Sequence, residues 1–189
     1  MDATGLKNPV LVGWSYAGRV LADYLMTHGA AKLADLNYVD ASSKGDPSFF
    51  GPNLRNIALT ASEDLATNIA ATRAFLHGCF SIQPTQEEFE TMLAFNMMVP
   101  PKVRLGMRNG PLEVDDMLRR LKIPVLVTHG AENQNVKVMA SEYTAKTFPG
   151  ARLRLSGGRP RALLRGRPAI QRRTCRLCTR QPEGEVNVS

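Results

Sequence analysis

The feature that most constrains the fold lies near the amino terminus, where an apolar run meets a serine between small residues. Val10 to Val12 form the apolar run, Gly13-Trp14-Ser15-Tyr16-Ala17-Gly18 follows, and residues 19–27 show an amphipathic helical pattern. This order predicts a strand, a sharp turn and a helix. Small residues two places on either side of Ser15 let the chain turn tightly, so that the hydroxyl stands clear of the backbone and can attack a carbonyl. The alternative is a serine-containing turn without a catalytic role.

Later segments continue the pattern of apolar strands and helices. Residues 36–40 and 123–130 read as the next two strands, the latter ending in His129-Gly130, and a helix over 136–148 precedes a final strand over 151–155. Because of these segments, the chain resembles the α/β-hydrolase superfamily from Pro9 to about Leu155. The resemblance is to the small cap-bearing esterases and the related cofactor-free, haloperoxidase-like perhydrolases.

The resemblance implies a partial α/β-hydrolase fold: the carboxyl-terminal half of a mostly parallel sheet with flanking helices and a helical cap insertion. We expect a disordered basic tail to follow it. The implied domains are a core over 1–41 and 118–156, a cap over 42–117 and a tail over 157–189. The implied chemistry is ester or perester acyl transfer, in which the partners are a small acyl ester or peroxide substrate and the acyl-serine is cleaved by water or peroxide. Ser15 would be the nucleophile and the Tyr16 backbone N–H an oxyanion donor, with no cofactor and no metal ion.

The acid of the expected triad is altered. In the family, an H-G-x-x-D segment supplies it, whereas His129-Gly130-Ala131-Glu132-Asn133 places Asn133 at that position. A neutral amide stabilises an imidazolium poorly, and the equivalent change in a Ser-His-Asp triad costs about four orders of magnitude in rate. Asp40 is the alternative acid, because some relatives supply it from the end of that strand.

Both ends of the chain depart from the family. The chain starts a few residues before the elbow strand, so we expect a truncated sheet that lacks one oxyanion donor. After Leu155 an arginine-rich segment replaces the expected Gly-His pair and closing helix. Residues 158–179 can be encoded by codons that, when read one base later, yield the family's ending. We therefore expect a frameshift, with the catalytic histidine lost at the position of Pro160. None of His28, His77 and His129 occupies the family's base position, and we therefore expect an impaired or inactive enzyme.

The net charge of +7 comes from the carboxyl-terminal part of the chain, residues 151–189. Residues 1–150 contain 14 Lys and Arg against 15 Asp and Glu, whereas the remaining 39 residues contain ten Arg and two Glu. Such a tail binds polyanions electrostatically without sequence preference. The alternative function is therefore a non-enzymatic product whose tail binds polyanions or nucleic acid non-specifically.

The middle of the chain predicts the helical cap. Helical spacing runs from Ser62 to Phe80, and a second helix over 86–98 is opened by Thr85 with Glu88 at capping-box spacing. We expect Trp14, Phe95, Met97 and Met98 to line the substrate pocket, since methionine adapts to varied shapes. Packing between the cap helices and the sheet is the alternative for this apolar surface.

The remaining expectations concern location and association. The sequence has no long apolar run and no signal-peptide pattern at its start, which predicts a cytoplasmic protein that does not bind membranes. Cys175 and Cys178 have metal-ligand spacing but lack a second ligand pair, so no zinc site is expected. An unpaired, apolar edge strand at Val10 to Val12 would favour self-association.

Overall fold

A four-stranded parallel sheet forms the centre of the protein. The computed structural model describes residues 5–80, 82–107 and 113–157. Its strands are β1 (Val10–Trp14), β2 (Asp35–Val39), β3 (Val125–Gly130) and β4 (Arg152–Ser156), adjacent in that order. All three pairings are parallel, which confirms the predicted sheet.

The burial of each strand agrees with its position in the sheet. All five residues of β2 are buried, and in β3 every residue except Thr128 is buried. Strands covered on both faces are typical of parallel sheets between helices. In β1, by contrast, Val12 and Trp14 remain 44% and 43% exposed. The strand that leads to Ser15 therefore lies at one edge of the described sheet.

Two helices adjoin the strands. Helix α1 (Ala17–His28) buries Gly18, Leu21, Ala22 and Leu25, and helix α6 (Val138–Thr147) contacts β3 and β4. Their apolar sides join the strands in the main core, together with Leu36, Tyr38, Leu118, Val127, Phe148 and Leu153. The sequence placed both helices within two residues of their observed ends.

The segment between β2 and β3 is helical. It contains 3-10 turns at Pro47–Phe49, Pro52–Leu54 and Ile57–Ala61, then α2 (Leu65–Gly78), α3 (Gln86–Met97), α4 (Pro101–Gly106) and α5 (Asp115–Arg120). A separate apolar cluster joins α2 and α3 through Leu76, Phe80, Phe89, Met92 and Leu93.

The helix starts follow side-chain caps. Thr85 and Glu88 form the predicted capping box at the start of α3. Helix α2 begins later than the sequence suggested, because Asp64, rather than Ser62, accepts a hydrogen bond from Thr67 N–H at 2.9 Å. The Asp64 carboxylate satisfies a backbone N–H that has no partner within the helix, and the helix therefore begins directly after Asp64.

Hydrogen bonds join this helical segment to the loop after β3. The Asn53 side-chain amide donates to Phe75 O at 3.0 Å and to Asn135 Oδ1 at 2.6 Å. Gly51 N–H donates to Asn135 O at 2.7 Å, and Asn53 N–H donates to Gln134 O at 2.9 Å. The 3-10 turns and the end of α2 are thus attached to the carboxyl end of β3.

Within the ranges described, no helix has the length and apolar character needed to cross a bilayer. The arginine-rich tail beyond Gly157, with Pro160, Cys175 and Cys178, lies outside the described residues.

Candidate active site

Ser15 occupies a strained turn between β1 and α1. Its φ is +54°, in the left-handed region that residues with a side chain rarely adopt. Its N–H donates to Val39 O at 3.0 Å, and its carbonyl accepts from Gly18 N–H at 3.1 Å. Such a conformation costs about 1 to 3 kcal/mol and is concentrated at active sites. The turn has the geometry of a nucleophile elbow.

The small residues around Ser15 are required by close packing. A Cβ atom at Gly13 would lie 2.6 Å from Leu21 Cδ1, and Gly18 is equally close to the loop after β2. Helix α1 therefore packs directly against the strand that precedes it. Close packing thus explains the glycines at positions 13 and 18.

The backbone N–H of Tyr16 is available at the same turn. Tyr16 has helical φ and ψ of −55° and −29° and directly precedes α1. Among the described residues, no hydrogen-bond acceptor is found for its N–H, although the neighbouring Gly18 and Arg19 N–H groups are both bonded. A free N–H next to a serine, at the positive end of a helix dipole, is suited to stabilise a developing negative charge.

A cavity of about 430 Å³ opens beside Ser15 and Tyr16. Much of its wall is apolar and comes from the 3-10 turns, α2 and the segment after α4: Phe49, Phe50, Leu54, Ile57, Phe75 and Met107. A volume of this size suits a small organic molecule. Polar groups in the wall include Ser42, Thr60 and Asn96.

The predicted pocket residues lie outside the wall of this cavity. Phe95 and Met98 are 54% and 80% exposed, and Met97 packs against the apolar cluster of α2 and α3. Trp14 is 43% exposed at the end of β1. Their assignment to the substrate pocket stays a prediction, which this cavity does not support.

Sequence reasoning missed most of the observed wall. In α3 it is Asn96, not its neighbours Phe95 and Met97, that faces the cavity, because successive helical residues are rotated by about 100°. Phe49, Leu54 and Ile57 lie in short turns without a periodic apolar pattern. The available signal was the cluster of apolar residues between Pro47 and Ile57, punctuated by Gly51-Pro52.

Asp40 binds the end of the neighbouring strand. It follows β2 with a φ of +49°, is 4% exposed, and its Oδ1 accepts from Gly130 N–H at 2.8 Å. The same oxygen lies 3.7 Å from His129 Nδ1. Asp40 therefore holds the carboxyl ends of β2 and β3 together, and it does not line the cavity beside Ser15.

His129 is a buried member of this network. Its Nδ1 lies 2.7 Å from Ser141 Oγ, and its Nε2 lies 3.0 Å from Val136 O. The carbonyl can only accept, so Nε2 carries the proton and Nδ1 accepts from Ser141. Burial lowers the pKa of His129, opposed mainly by the charge of Asp40. Ser141 and Asp40 both face the same ring nitrogen, so the three residues do not form a catalytic triad.

Asn133 organises the turn after β3. Its Oδ1 accepts from the backbone N–H groups of Asn135 at 2.8 Å and Val136 at 3.0 Å. Its own N–H donates to Gly130 O at 3.0 Å. The side chain is half-buried and contacts no histidine within hydrogen-bonding distance in the described part of the chain.

The other two histidines are exposed and lie outside the cavity wall. His28 ends α1 and stacks at a tilt on Tyr24, with ring centroids 4.9 Å apart. His77 stacks on Phe89 at 4.1 Å and bonds Gln83 Oε1 through Nδ1 at 2.9 Å. The sequence has three histidines, and none lines the cavity at Ser15.

Comparison with known proteins gives matches among solved structures. No family profile and no curated protein matches the sequence. A candidate aryl esterase from Burkholderia cenocepacia superposes with a TM-score of 0.83 at 27% identity, over 94% of this chain and 66% of the other. An esterase from a Rhodococcus species gives 0.81 at 26%, with the same coverage of both chains. The chain thus spans 66% of the length of these two structures.

A bromoperoxidase from Bacillus anthracis matches with a TM-score of 0.75 at 18% identity, over 93% of this chain and 68% of the other. This likeness concerns the fold. The parallel sheet and flanking helices agree with all three matches. The described residues therefore share the α/β-hydrolase fold with these structures and form part of its parallel sheet.

Proposed function

We propose that the cavity beside Ser15 is the active site of an ester- or perester-acting hydrolase. The observation that carries this proposal is the positive φ of Ser15, a residue that lines a cavity of about 430 Å³. A purely structural turn does not require a serine in this conformation, whereas a nucleophile elbow does. The esterase and bromoperoxidase matches support ester and peroxide substrates.

The reaction follows from the groups at the turn. Ser15 Oγ attacks the carbonyl carbon, the hydroxyl proton leaves, and the carbonyl oxygen takes up negative charge beside Tyr16 N–H. Collapse breaks the bond to the leaving alcohol, which takes a proton. Water or a hydroperoxide then cleaves the acyl-serine and restores the hydroxyl.

The chain supplies the nucleophile and one oxyanion donor without an imidazole base. A serine hydroxyl at its ordinary pKa is a weak nucleophile, and a base must lie within about 3 Å to activate it. Neither Asp40 nor Asn133, the two proposed acid positions, orients a histidine toward Ser15. We therefore propose that both acylation and deacylation are slow in this chain.

The test is covalent labelling followed by intact-mass spectrometry. The full chain is incubated with p-nitrophenyl acetate, and peptide mapping locates the acetyl group. We expect slow, single-site acetylation at Ser15 that is lost in Ser15→Ala. Ser42→Ala is the matched control, because Ser42 lines the same cavity at a residue without positive φ, and it should retain labelling.

Added imidazole tests the missing base. If the lack of a base limits the reaction, imidazole should increase the rate at which acetylated protein appears. Following the protein mass avoids interference from hydrolysis of the ester by imidazole in solution. Labelling that persists in Ser15→Ala would reject the nucleophile, and rapid, Ser15-dependent turnover without imidazole would reject the proposed impairment.

A further inference from the structure

The charged side chains that the structure describes in the wall of the cavity beside Ser15 are all positively charged. Of the described residues in this wall, three are cationic, Arg19, Lys44 and Arg104, and none is Asp or Glu. Lys44 Nζ lies 3.7 Å from Asp115 Oδ2, and the Arg19 guanidinium lies 5.7 Å from the centre of the Tyr16 ring. Among the ion pairs of the described residues, none includes Arg104. This arginine therefore lines a largely apolar cavity and has no carboxylate partner in the part of the chain that the structure describes.

The guanidinium of Arg104 is held in one orientation. Its Nε donates to Val99 O at 3.4 Å, and its Nη2 donates to Asn96 O. A guanidinium has five N–H groups, so three remain after these two bonds. The side chain is half-buried, and burial lowers the pKa of Arg104. A partly desolvated cation gains more from an anion than an exposed one does.

The structural role of Arg104 does not account for these observations. Its two bonds go to carbonyls at the carboxyl end of α3, where a cation complements the helix dipole. An exposed arginine could do the same. Helix capping does not require the position of Arg104 in the cavity wall, its three remaining donors or the lack of acidic groups among the described residues of that wall.

We propose that Arg104 is an anion subsite, and that the ester taken by this cavity carries a carboxylate as well as its ester group. The inference rests on the proposed function of Ser15. The planar guanidinium matches a carboxylate through two parallel hydrogen bonds. Leu54, Ile57 and Phe75 in the same wall would contact the apolar carbons between the two groups.

A pair of matched ligands tests the subsite by binding alone. Calorimetric titration of the full-length Ser15→Ala chain with monomethyl glutarate and dimethyl glutarate compares a charged ester with its neutral analogue. We expect about tenfold tighter binding of the charged ester, as is typical of a charged hydrogen-bonded contact. Arg104→Met should abolish the preference. Arg104→Lys, which keeps the charge but not the planar fork, should retain only part of it.

Lys102→Met is the matched control, because it removes an exposed cation from the same helix outside the cavity wall. It should leave the preference intact. Loss of the preference in Arg104→Met, which keeps the arginine-rich tail, separates the subsite from attraction to that tail. Equal affinity for the two ligands, no binding of either, or a preference unchanged in Arg104→Met would overturn the subsite. Since Ser15→Ala has no nucleophile, these outcomes are independent of the acetylation test. Should Arg104→Met fail to fold, the ligand pair and Arg104→Lys still decide the result.

Discussion

Gly18 lies against the carbonyl oxygen of Ser42. A Cβ atom built on Gly18 would stand 2.6 Å from that oxygen and 2.9 Å from the Cβ of Ala41. The contact joins the first turn of α1 to the loop after β2, and Ser42 is itself part of the cavity wall. The position of the elbow and the shape of the cavity are therefore set by the same contact.

Gly18→Ala should destabilise the protein. The new methyl group meets backbone, which cannot rotate away, and overpacking of this kind costs about 1 to 3 kcal/mol. Urea denaturation followed by circular dichroism would measure the change, and acetylation of Ser15 should decrease as well. Gly106→Ala is the control, since a Cβ atom there meets nothing within 4 Å. An unchanged midpoint in Gly18→Ala would contradict the close contact.

The buried His129 should make stability depend on pH. Its pKa is lowered from 6.5 by burial, while Asp40, Glu142 and the Val136 carbonyl oppose the shift. The unfolded chain therefore takes up a proton first as the pH falls. The stabilisation is complete above pH 6.5 and decreases below it, until the lowered pKa of the folded state is passed.

Unfolding free energies measured between pH 5 and 8 would check this slope. His129→Gln should flatten it, whereas His28→Gln, an exposed histidine at the end of α1, should not. A slope that survives in His129→Gln would show that another group is responsible.

The exposed edge at β1 should promote association. Val12 and Trp14 are both more than 40% exposed on a strand that pairs only with β2 in the described sheet. Apolar edge strands pair with other chains, and a lysine on the edge prevents this. In sedimentation experiments, the apparent mass of Val12→Lys should therefore increase less with protein concentration than that of the unchanged protein. Val103→Lys changes an equally exposed valine on α4 and should have little effect.

The arginine-rich tail should determine binding to polyanions. Residues 157–189 contain eight arginines and two glutamates. Removing them should abolish retention on heparin, because binding of this kind follows the number of neutralised anionic groups and weakens with salt. Retention by the shortened chain, or sequence-selective binding of nucleic acid that persists at high salt, would contradict a non-specific role.

The parts of the fold that the sequence predicted depend on local chemistry. The small residues around Ser15 predicted the turn, and Thr85 with Glu88 predicted the start of α3. The apolar run before His129 predicted β3. In each case neighbouring residues contain the information, as side-chain size, capping geometry or apolar periodicity.

The cavity wall could not be predicted in this way. Phe49, Ile57 and Arg104 come together only because three 3-10 turns and α4 pack beside Ser15. The side that each helix presents is set by tertiary packing, and this is why Asn96 lines the cavity while Phe95 is exposed. The short helix α5 has only six residues and too little periodicity to be recognised.

The bonds from Asn53 and Gly51 to the loop after β3 have a mechanical consequence. They attach one wall of the cavity, including Phe49, Phe50 and Val136, to the carboxyl end of a central strand. A displacement of α2 is therefore transmitted to the sheet instead of swinging that wall away from Ser15.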